Sequence, residues 1–404
     1  MKKSVFRNVI FTKIYFSSSI SFLADRLVVF VVPLWIMSVT ESSTKVALIN
    51  ALITITTVLI TPLTGTLADR VSRRKLMILA DLIRMIIMTI LGLLTFYNIF
   101  LFELVVMLFL LRSVGTSLSS PASNAALVTF VDKEQINSAI ALRQTMNQLV
   151  SVAAPLLGGI LLVWIHYEGI FWMDAVAFLI SFTILLTVRF PRELELKKRK
   201  PFWSDFKEGM QMMFRSKTIR SLIMSAGIIN VLGAALTVTL QVFVVRAEFS
   251  PVWWSIIFAS SPVGIMVGAV LARTFKFSLK TLSNSFFFTM IMGVFNTLMG
   301  FVNNPLFFSV LFFLSGLAFG ISNVNFGVLY REMIASEQQG RFFGFLNSLL
   351  LVSVPLGQML VGLVLEISKA EVIIQLLGIL TTVSAFIFWV YLKRQKLSLE
   401  KLSP

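Results

Sequence analysis

Long apolar runs recur along this sequence, and they constrain its fold more than any other feature. A membrane-crossing helix needs about 20 consecutive, mostly apolar residues. About twelve such runs occur within the 404 residues, and together they use most of the chain. The predicted spans are 14–38, 46–68, 76–97, 102–128, 138–163, 169–189, 218–245, 252–274, 281–302, 305–330, 341–366 and 370–392.

The composition excludes most soluble classes of protein. Apolar residues make up 57% of the chain and charged residues only 13%, whereas a soluble domain has about 25% charged residues. There is no Cys and only one His, His166, so thiolate nucleophiles and Cys- or His-rich metal sites are excluded. We find no phosphate-binding loop, metal-ligand cluster or catalytic triad. The sequence therefore predicts neither an enzyme nor an ATP-driven pump, and it predicts no cofactor and no metal.

The net charge of +16 reflects membrane topology. With both termini placed in the cytoplasm, most Lys and Arg residues fall in cytoplasmic loops and tails. Only Lys45, Arg246 and Lys369 fall in loops on the opposite side. This bias follows the positive-inside rule. It predicts a multi-pass protein with both termini cytoplasmic, in contact with lipid, and it requires no nucleic-acid partner.

An internal repeat divides the chain into halves. Asn147 and Pro155 recur as Asn347 and Pro355, and the segment between them aligns without gaps. Six helices plus six is the parallel-repeat plan of many secondary transporters, which bind substrate near the membrane midplane. We therefore expect an all-α membrane fold with two pseudo-symmetric six-helix halves, a small-molecule substrate and no signalling domain. The predicted parts are 1–189, a cytoplasmic linker at 190–217, and 218–404; the linker is either a partly amphipathic surface helix or a simple connector.

Two ionisable residues fall deep within predicted spans. Asp25 lies about 16 Å into the first span, and Arg112 lies about 15 Å from the outer end of the fourth. Such residues are costly in a membrane and usually functional. A carboxylate whose proton affinity changes with its surroundings meets the requirement for proton coupling, so we predict this role for Asp25 with Arg112. The alternative is a static ion pair of Asp25 with Arg26 or Arg112.

Three further charged residues lie within spans. Asp81 and Arg84 are three residues apart on one helix face, which predicts an ion pair on the cytoplasmic-gate side. Asp174 lies near the outer start of the sixth span. We expect it to be solvated at the helix end or bonded locally.

Polar residues follow helical spacing on several spans. Polar groups do not face lipid, so these stripes are expected to face either a wet cavity or other helices through hydrogen bonds. The predicted substrate-cavity residues are Ser21, Asp25, Arg26, Asn124, Arg143, Asn147, Asn230, Gln241, Asn323, Asn325 and Asn347. The 38 Phe and 18 Met residues could supply an adaptable apolar wall for bulky substrates.

Residues 65–75 read GTLADRVSRRK and lie in the cytoplasmic loop between the second and third spans. This segment resembles the signature of the major facilitator superfamily, and the resemblance covers essentially the whole chain. It implies the major facilitator fold and a monomer. It also implies a conformational switch. In this switch Asp69 would cap the N-terminus of the eleventh span, near Gly340, when the cytoplasmic side is closed. With the gate-side pair, the predicted switch residues are Gly65, Asp69, Arg70, Arg73, Arg74, Asp81 and Arg84.

The run APLLGG at 154–159 is similar to the Gly-Pro-x-x-Gly-Gly motif of drug/proton antiporters, with Ala154 in place of the first Gly. The resemblance adds Pro155, Gly158 and Gly159 to the switch. Elements at 39–44, 62–70, 80–84 and 121–127 resemble the branch that contains macrolide and siderophore exporters.

This resemblance implies a bacterial cytoplasmic-membrane exporter of amphipathic, drug-like compounds. It would be driven by proton antiport with alternating access, so its energy source would be the proton gradient. The alternative is an exporter of a dedicated metabolite such as a siderophore or a peptide antibiotic. An anionic substrate would favour Arg112 and Arg143 as anchors.

Overall fold

A computed structural model describes residues 5–68, 71–188, 210–211, 217–274 and 281–400. These residues are almost entirely helical, and eleven of their helices are long and apolar enough to cross a membrane. Two short 3₁₀ helices, Val5–Arg7 and Lys133–Gln135, accompany them. The long helices are α1 (Val9–Thr40), α2 (Ser43–Ala68), α3 (Arg73–Phe96), α4 (Phe102–Thr129), α5 (Ile136–Thr187), α6 (Lys217–Arg246), α7 (Pro251–Thr274), α8 (Thr281–Met299), α9 (Pro305–Met333), α10 (Ser336–Ile367) and α11 (Ala370–Glu400). The prediction of an all-α membrane protein is confirmed.

Helix α5 accounts for the difference between eleven long helices and twelve predicted spans. Its 52 residues would extend about 78 Å if straight, more than twice the thickness of a bilayer core. His166 interrupts the run with φ 52° and ψ −169°. The predicted spans 138–163 and 169–189 lie on either side of this break. One continuous run is therefore long enough to hold both predicted spans.

Contacts between residues divide the described chain into two compact units. The first unit holds the described residues within 1–35 and 52–198, and the second holds those within 36–51 and 199–404. The end of α1 and the start of α2 therefore belong to the second unit. The predicted linker 190–217 lies outside the described residues except for 210–211 and Lys217, so its amphipathic character and the three-part division remain predictions.

The first unit is built around α1, α3, α4 and α5. Its apolar core includes Phe11 and Ile14 of α1, Ala80 of α3, Ala122 of α4 and Leu185 of α5, all buried. Burying apolar side chains against one another fixes these four helices relative to each other. Polar side chains on their facing surfaces are thereby brought within hydrogen-bonding distance.

In the second unit, α7 and α9 approach each other at paired glycines. A Cβ atom added to Gly264 or Gly268 of α7 would lie 2.2 or 2.1 Å from the carbonyl oxygens of Phe313 or Leu317. On α9, Gly316 and Gly320 meet α7 in the same way: their added Cβ atoms would each lie 2.3 Å from a carbonyl oxygen of α7. Small residues at such positions allow helix backbones to touch. We call these four residues the glycine seam.

Hydrogen bonds join the start of α2 to the end of α10 within the second unit. Glu366 Oε1 accepts hydrogen bonds from the Ser42 hydroxyl at 2.8 Å and from the Thr44 backbone N–H at 2.9 Å. A carboxylate is favourable at a helix N-terminus because it satisfies free N–H groups and complements the helix dipole. Asn50 of α2 also donates to Gln241 of α6 at 3.0 Å.

Candidate functional site

Five charged side chains meet inside the first unit. They come from four helices: Asp25 from α1, Asp81 and Arg84 from α3, Arg112 from α4, and Asp174 from α5. Four ion pairs join these side chains. We call this group the charged cluster.

Arg84 lies at the centre of the charged cluster, and each of its three guanidinium nitrogens has a partner. Nη1 donates to Asp25 Oδ2 at 2.7 Å, and Nη2 donates to Asp81 Oδ1. Nε donates to the carbonyl oxygen of Ala80 at 3.2 Å. The guanidinium also lies 4.3 Å from the centre of the Phe178 ring, a cation–π contact. Arg84 is only 1% exposed, and these contacts stabilise its buried charge.

Arg112 is bonded less completely than Arg84. Its Nη2 lies 2.8 Å from Asp25 Oδ1 and 3.5 Å from Asp174 Oδ2. Its Nε is buried and has no hydrogen-bond partner. One nitrogen of Arg112 therefore faces two carboxylates, and Asp25 holds the closer position.

Hydroxyl groups complete the bonding of two of the carboxylates. Ser181 donates to Asp81 Oδ2 at 2.6 Å, and Ser21 lies 3.3 Å from Asp81 Oδ1 and 2.8 Å from Ser181 Oγ. Thr116 donates to Asp25 Oδ1 at 3.2 Å. Asp25 and Asp81 each have at least three donors, which favours their ionised forms.

Solvent reaches the cluster mainly at Asp25, whose side chain is 14% exposed. The other four side chains are 7% exposed or less, and that of Asp174 is fully buried. A cluster of this kind can exchange a proton with water and rearrange its ion pairs. It does not resemble a metal site, because the two guanidiniums separate the carboxylates. Among the described residues, no group of three or more His, Cys, Asp or Glu side chains is arranged to hold a metal ion.

The structure shows which charged residues of the spans pair with one another. The predicted Asp81–Arg84 ion pair is present. Asp25 pairs with Arg112, and also with Arg84. Arg26 is exposed, with its guanidinium 4.9 Å from the centre of the Phe22 ring.

The expectation for Asp174 is wrong. Asp174 is neither solvated nor bonded only to its own helix, because it is buried and faces Arg112 of α4. The residue lies eight positions beyond the break at His166, about 12 Å along the helix. This depth removes it from solvent and brings it to the level of the charged cluster.

The second unit contains a cavity of about 430 Å³. Its walls come from α6 to α11, and the described residues that line it include no Asp, Glu, Lys or Arg. Apolar and aromatic side chains cover much of the surface, among them Phe312, Phe319, Phe326 and Phe343. Ligand cavities are typically apolar with a few polar groups that fix orientation, and this cavity has that character.

Neutral polar groups are distributed over the cavity wall. Asn230 donates to the Leu350 carbonyl at 2.7 Å and to Ser353 Oγ at 2.8 Å. Ser315 donates to Asn296 Oδ1 at 2.6 Å. Amides and hydroxyls of this kind can hydrogen-bond a neutral ligand that carries hydroxyl, ether or carbonyl oxygens.

The structure separates the predicted cavity residues. Asn230, Asn323 and Asn347 line the cavity of the second unit. Gln241 is buried and accepts the bond from Asn50, and Asn325 lies outside the lining with a buried Nδ2 that has no partner.

The remaining predicted cavity residues belong to the first unit. Ser21 is part of the polar network around Asp81. Arg143 lies 3.3 Å from Ser123 Oγ, Asn147 is partly buried, and Asn124 is exposed.

Residues of the predicted switch are also located in part. Arg73 donates to Thr129 Oγ1 at 2.6 Å. Arg74 donates to the carbonyl oxygens of Leu185 and Leu186 at 3.1 and 2.8 Å, so it satisfies backbone groups at the end of α5. Gly65 lies in the last turn of α2, whereas Asp69 and Arg70 lie outside the described residues.

The motif at 154–159 packs α5 closely against α1. A Cβ atom added to Gly158 would lie 2.6 Å from a ring carbon of Phe30. Gly159 is buried, and Pro155 lies inside the helix. Glycine at position 158 is therefore explained by helix packing.

Several cavity and cluster residues carry no distinctive sequence signal. Asn296 and Ser315 line the cavity and bond to each other, yet each is an isolated polar residue in an apolar run. Ser181 and Phe178 complete the charged cluster from α5. Phe178 and Ser181 lie four and seven residues after Asp174, which puts them on the same helix face. Helical spacing could therefore have identified them had Asp174 been placed in the interior.

Comparison with known proteins agrees with this architecture. Macrolide efflux protein A of Enterococcus faecalis is 26% identical over 316 residues, which cover 73% of this chain and 93% of that protein. Macrolide efflux protein A of Streptococcus pyogenes is 26% identical over 322 residues, covering 75% of this chain and 76% of that protein.

A mutant of the nucleoside transporter NupG has the same fold. Its TM-score is 0.77 at 12% identity, with 94% of this chain and 99% of that chain covered. The family model described as Major Facilitator Superfamily matches residues 14–295. With the membrane-spanning helices described above, this match shows that the chain belongs to the Major Facilitator Superfamily.

Proposed function

We propose that this protein exports amphipathic compounds of the macrolide type from a bacterial cell, in exchange for protons and by alternating access. The similarity to two macrolide efflux proteins over about three quarters of the chain supports this direction of transport and this substrate class. The loop-charge bias supports cytoplasmic termini in the cytoplasmic membrane. We take the working unit to be a monomer.

The charged cluster is the observation that carries the proton-coupling part of this proposal. Membrane-embedded charges are expensive, and a purely structural role could be filled by apolar packing. Here three carboxylates and two guanidiniums join four helices, and Asp25 gives the cluster contact with solvent. We assign proton coupling to Asp25 together with Arg112, because a change at Asp25 alters the partner of Arg112.

The uncharged cavity of the second unit is the proposed substrate site. A macrolide presents an apolar ring face together with hydroxyl and carbonyl oxygens. The Phe side chains suit the ring, and the amides of Asn323 and Asn347 suit the oxygens. Asn230, whose two N–H groups already donate to Leu350 and Ser353, could accept a hydrogen bond from a ligand hydroxyl. A cavity of about 430 Å³ is within the range for drug-sized ligands.

The conformational switch remains part of the proposal. Arg73 and Arg74 bind the ends of α4 and α5, so a rearrangement of the predicted switch motif that contains Asp69 and Arg70 would be transmitted to both helices. The close contact at Gly158 would transmit it to α1.

Everted membrane vesicles provide the test. Vesicles energised to be acidic inside receive a panel of macrolides, lipophilic cations and siderophores while luminal pH is recorded by fluorescence. We expect macrolides to make the lumen more alkaline with wild-type protein, and this response to disappear with Asp25→Asn. Glu103→Gln is the matched control, because Glu103 is an exposed carboxylate at the start of α4, and it should keep the response.

Three outcomes would contradict the proposal. No luminal response to macrolides, with labelled macrolide also not accumulating, would exclude this substrate class. A response only to siderophores would favour the dedicated-metabolite alternative. An undiminished macrolide response with Asp25→Asn would exclude the assigned role of Asp25.

A further inference from the structure

We infer that Asp174 holds the proton of the charged cluster, and that it releases this proton when Asp25 gives up its contact with Arg112. This inference rests on the proposed function for its role in transport. The protonation state itself follows from the geometry of the cluster and is tested without substrate.

The first step is a count of charges. The cluster contains three carboxyl groups and two guanidinium groups, and a guanidinium is always protonated in a protein. Three ionised carboxylates would leave one uncompensated negative charge in a buried site. Because an unpaired buried charge is costly, a neutral cluster requires one carboxyl group to be protonated.

The second step identifies that carboxyl group. Asp25 accepts bonds at 2.7, 2.8 and 3.2 Å, and Asp81 accepts from Arg84, Ser181 and Ser21. Among the described residues, Asp174 has one hydrogen-bond donor, Arg112, whose Nη2 lies 3.5 Å from Asp174 Oδ2. Its Oδ1 is buried without a hydrogen-bond partner. Donors stabilise an ionised carboxylate and desolvation destabilises it. Asp174 has the fewest donors and the least exposure, so it is the protonated member.

The third step links this proton to Asp25. Both Asp25 and Asp174 face the same atom, Nη2 of Arg112. The other charged group acting on Asp174 is Arg84 of α3, which is already paired with Asp25 and Asp81. If Asp25 turns toward water, Arg112 becomes available to Asp174.

Release of the proton from Asp174 leaves each negative charge of the cluster compensated. The O–H bond of Asp174 breaks, its electron pair stays on the carboxylate, and the proton passes to water. The new carboxylate is compensated by Arg112, and Asp25 is compensated by its new surroundings. Return of Asp25 to Arg112 leaves Asp174 unpaired again, which favours uptake of a proton.

Infrared spectroscopy of the purified full-length protein tests the assignment. At neutral pH the solvated acidic residues are ionised, so the C=O stretching band of a protonated carboxyl group should come from the cluster alone. Replacing any one cluster Asp with Asn would balance the charges and remove the band, so that change does not discriminate. Replacing one Asp with Glu keeps the number of carboxyl groups in the cluster. The C=O band then shifts only if the replaced residue is the one that carries the proton.

We expect Asp174→Glu to shift the band, and the matched variants Asp25→Glu and Asp81→Glu to leave it unshifted. A shift with either matched variant instead of Asp174→Glu would overturn the inference, as would the absence of a band in wild-type protein. Thermal unfolding gives a second measurement should Asp174→Glu not fold. Asp174→Asn imitates a neutral acid and should keep the wild-type unfolding midpoint, whereas Asp25→Asn removes two ion pairs and should lower it.

An Asp174→Asn midpoint lowered as far as that of Asp25→Asn would show that Asp174 is ionised, and would overturn the inference. Neither measurement uses a substrate or a pH gradient. A failure of macrolide transport would therefore leave this result standing, and the two proposals are tested separately.

Discussion

Replacing Gly268 with Ala should separate α7 from α9 and destabilise the second unit. The new Cβ atom would lie 2.1 Å from the carbonyl oxygen of Leu317, 2.9 Å from its carbonyl carbon and 3.1 Å from its Cα. All three atoms belong to the backbone of α9, so no side-chain rotation can relieve the contact. The two helices must move apart by about 1 Å, which also loosens the neighbouring contacts of the glycine seam.

The magnitude follows from two opposing effects. Overpacking costs about 1–3 kcal/mol, and we take about 3 kcal/mol because the obstructing atoms are backbone. Ala stabilises a helix relative to Gly by about 1 kcal/mol. The net loss is then about 2 kcal/mol in the free energy of unfolding.

Gly227 on α6 provides the matched control. An added Cβ there has no atom within 4 Å, so Gly227→Ala should gain only the helix preference of about 1 kcal/mol. The free energies of unfolding of the two variants should therefore differ by about 3 kcal/mol. For a unit of this size the difference corresponds to roughly 6–12 °C in the unfolding midpoint.

The assay is thermal unfolding of both purified variants and wild-type protein in the same detergent. The expected order of midpoints is Gly268→Ala, then wild type, then Gly227→Ala. The reasoning fails if Gly268→Ala unfolds at or above the wild-type midpoint, or if both alanine variants move in the same direction by the same amount.

Two further predictions concern buried and capping charges. Arg84→Ala removes a partner of both Asp25 and Asp81 and should lower the free energy of unfolding by about 3–5 kcal/mol. The measurement is the amount of folded protein recovered from membranes, which should fall strongly. Recovery equal to that of wild type would contradict the stabilising role of these ion pairs. Glu366→Gln removes the negative charge at the N-terminus of α2 and should lower the free energy of unfolding by less than about 1 kcal/mol. High salt should reduce this difference from wild type. A difference that does not change with salt would exclude an electrostatic origin.

The helices could be predicted from the sequence because hydropathy alone specifies them. The predicted span 102–128 differs by one residue from α4 (Phe102–Thr129), and 252–274 differs by one from α7 (Pro251–Thr274). The Asp81–Arg84 pair was also predictable, since residues three apart share a helix face.

The charged cluster as a whole was not predictable. Its members come from four helices, and sequence spacing does not give the rotation of one helix against another. Asp174 illustrates the difficulty. Its distance from a predicted span end suggested solvent, but it lies eight positions beyond the break at His166. The cavity was predicted in part, because an isolated Asn such as Asn296 is equally consistent with a hydrogen bond between helices.

The separation of charge from cavity has a consequence for how such a protein can evolve. The charged cluster and the cavity share no residue, and the described part of the cavity lining includes no Asp, Glu, Lys or Arg. Substitutions on the cavity wall can therefore change size and hydrogen bonding without disturbing a buried ion balance. With this cavity as the proposed substrate site, selection by a new compound could act on Asn323 or Phe326 while Asp25 and Arg112 stay unchanged, and new substrates could be acquired one side chain at a time.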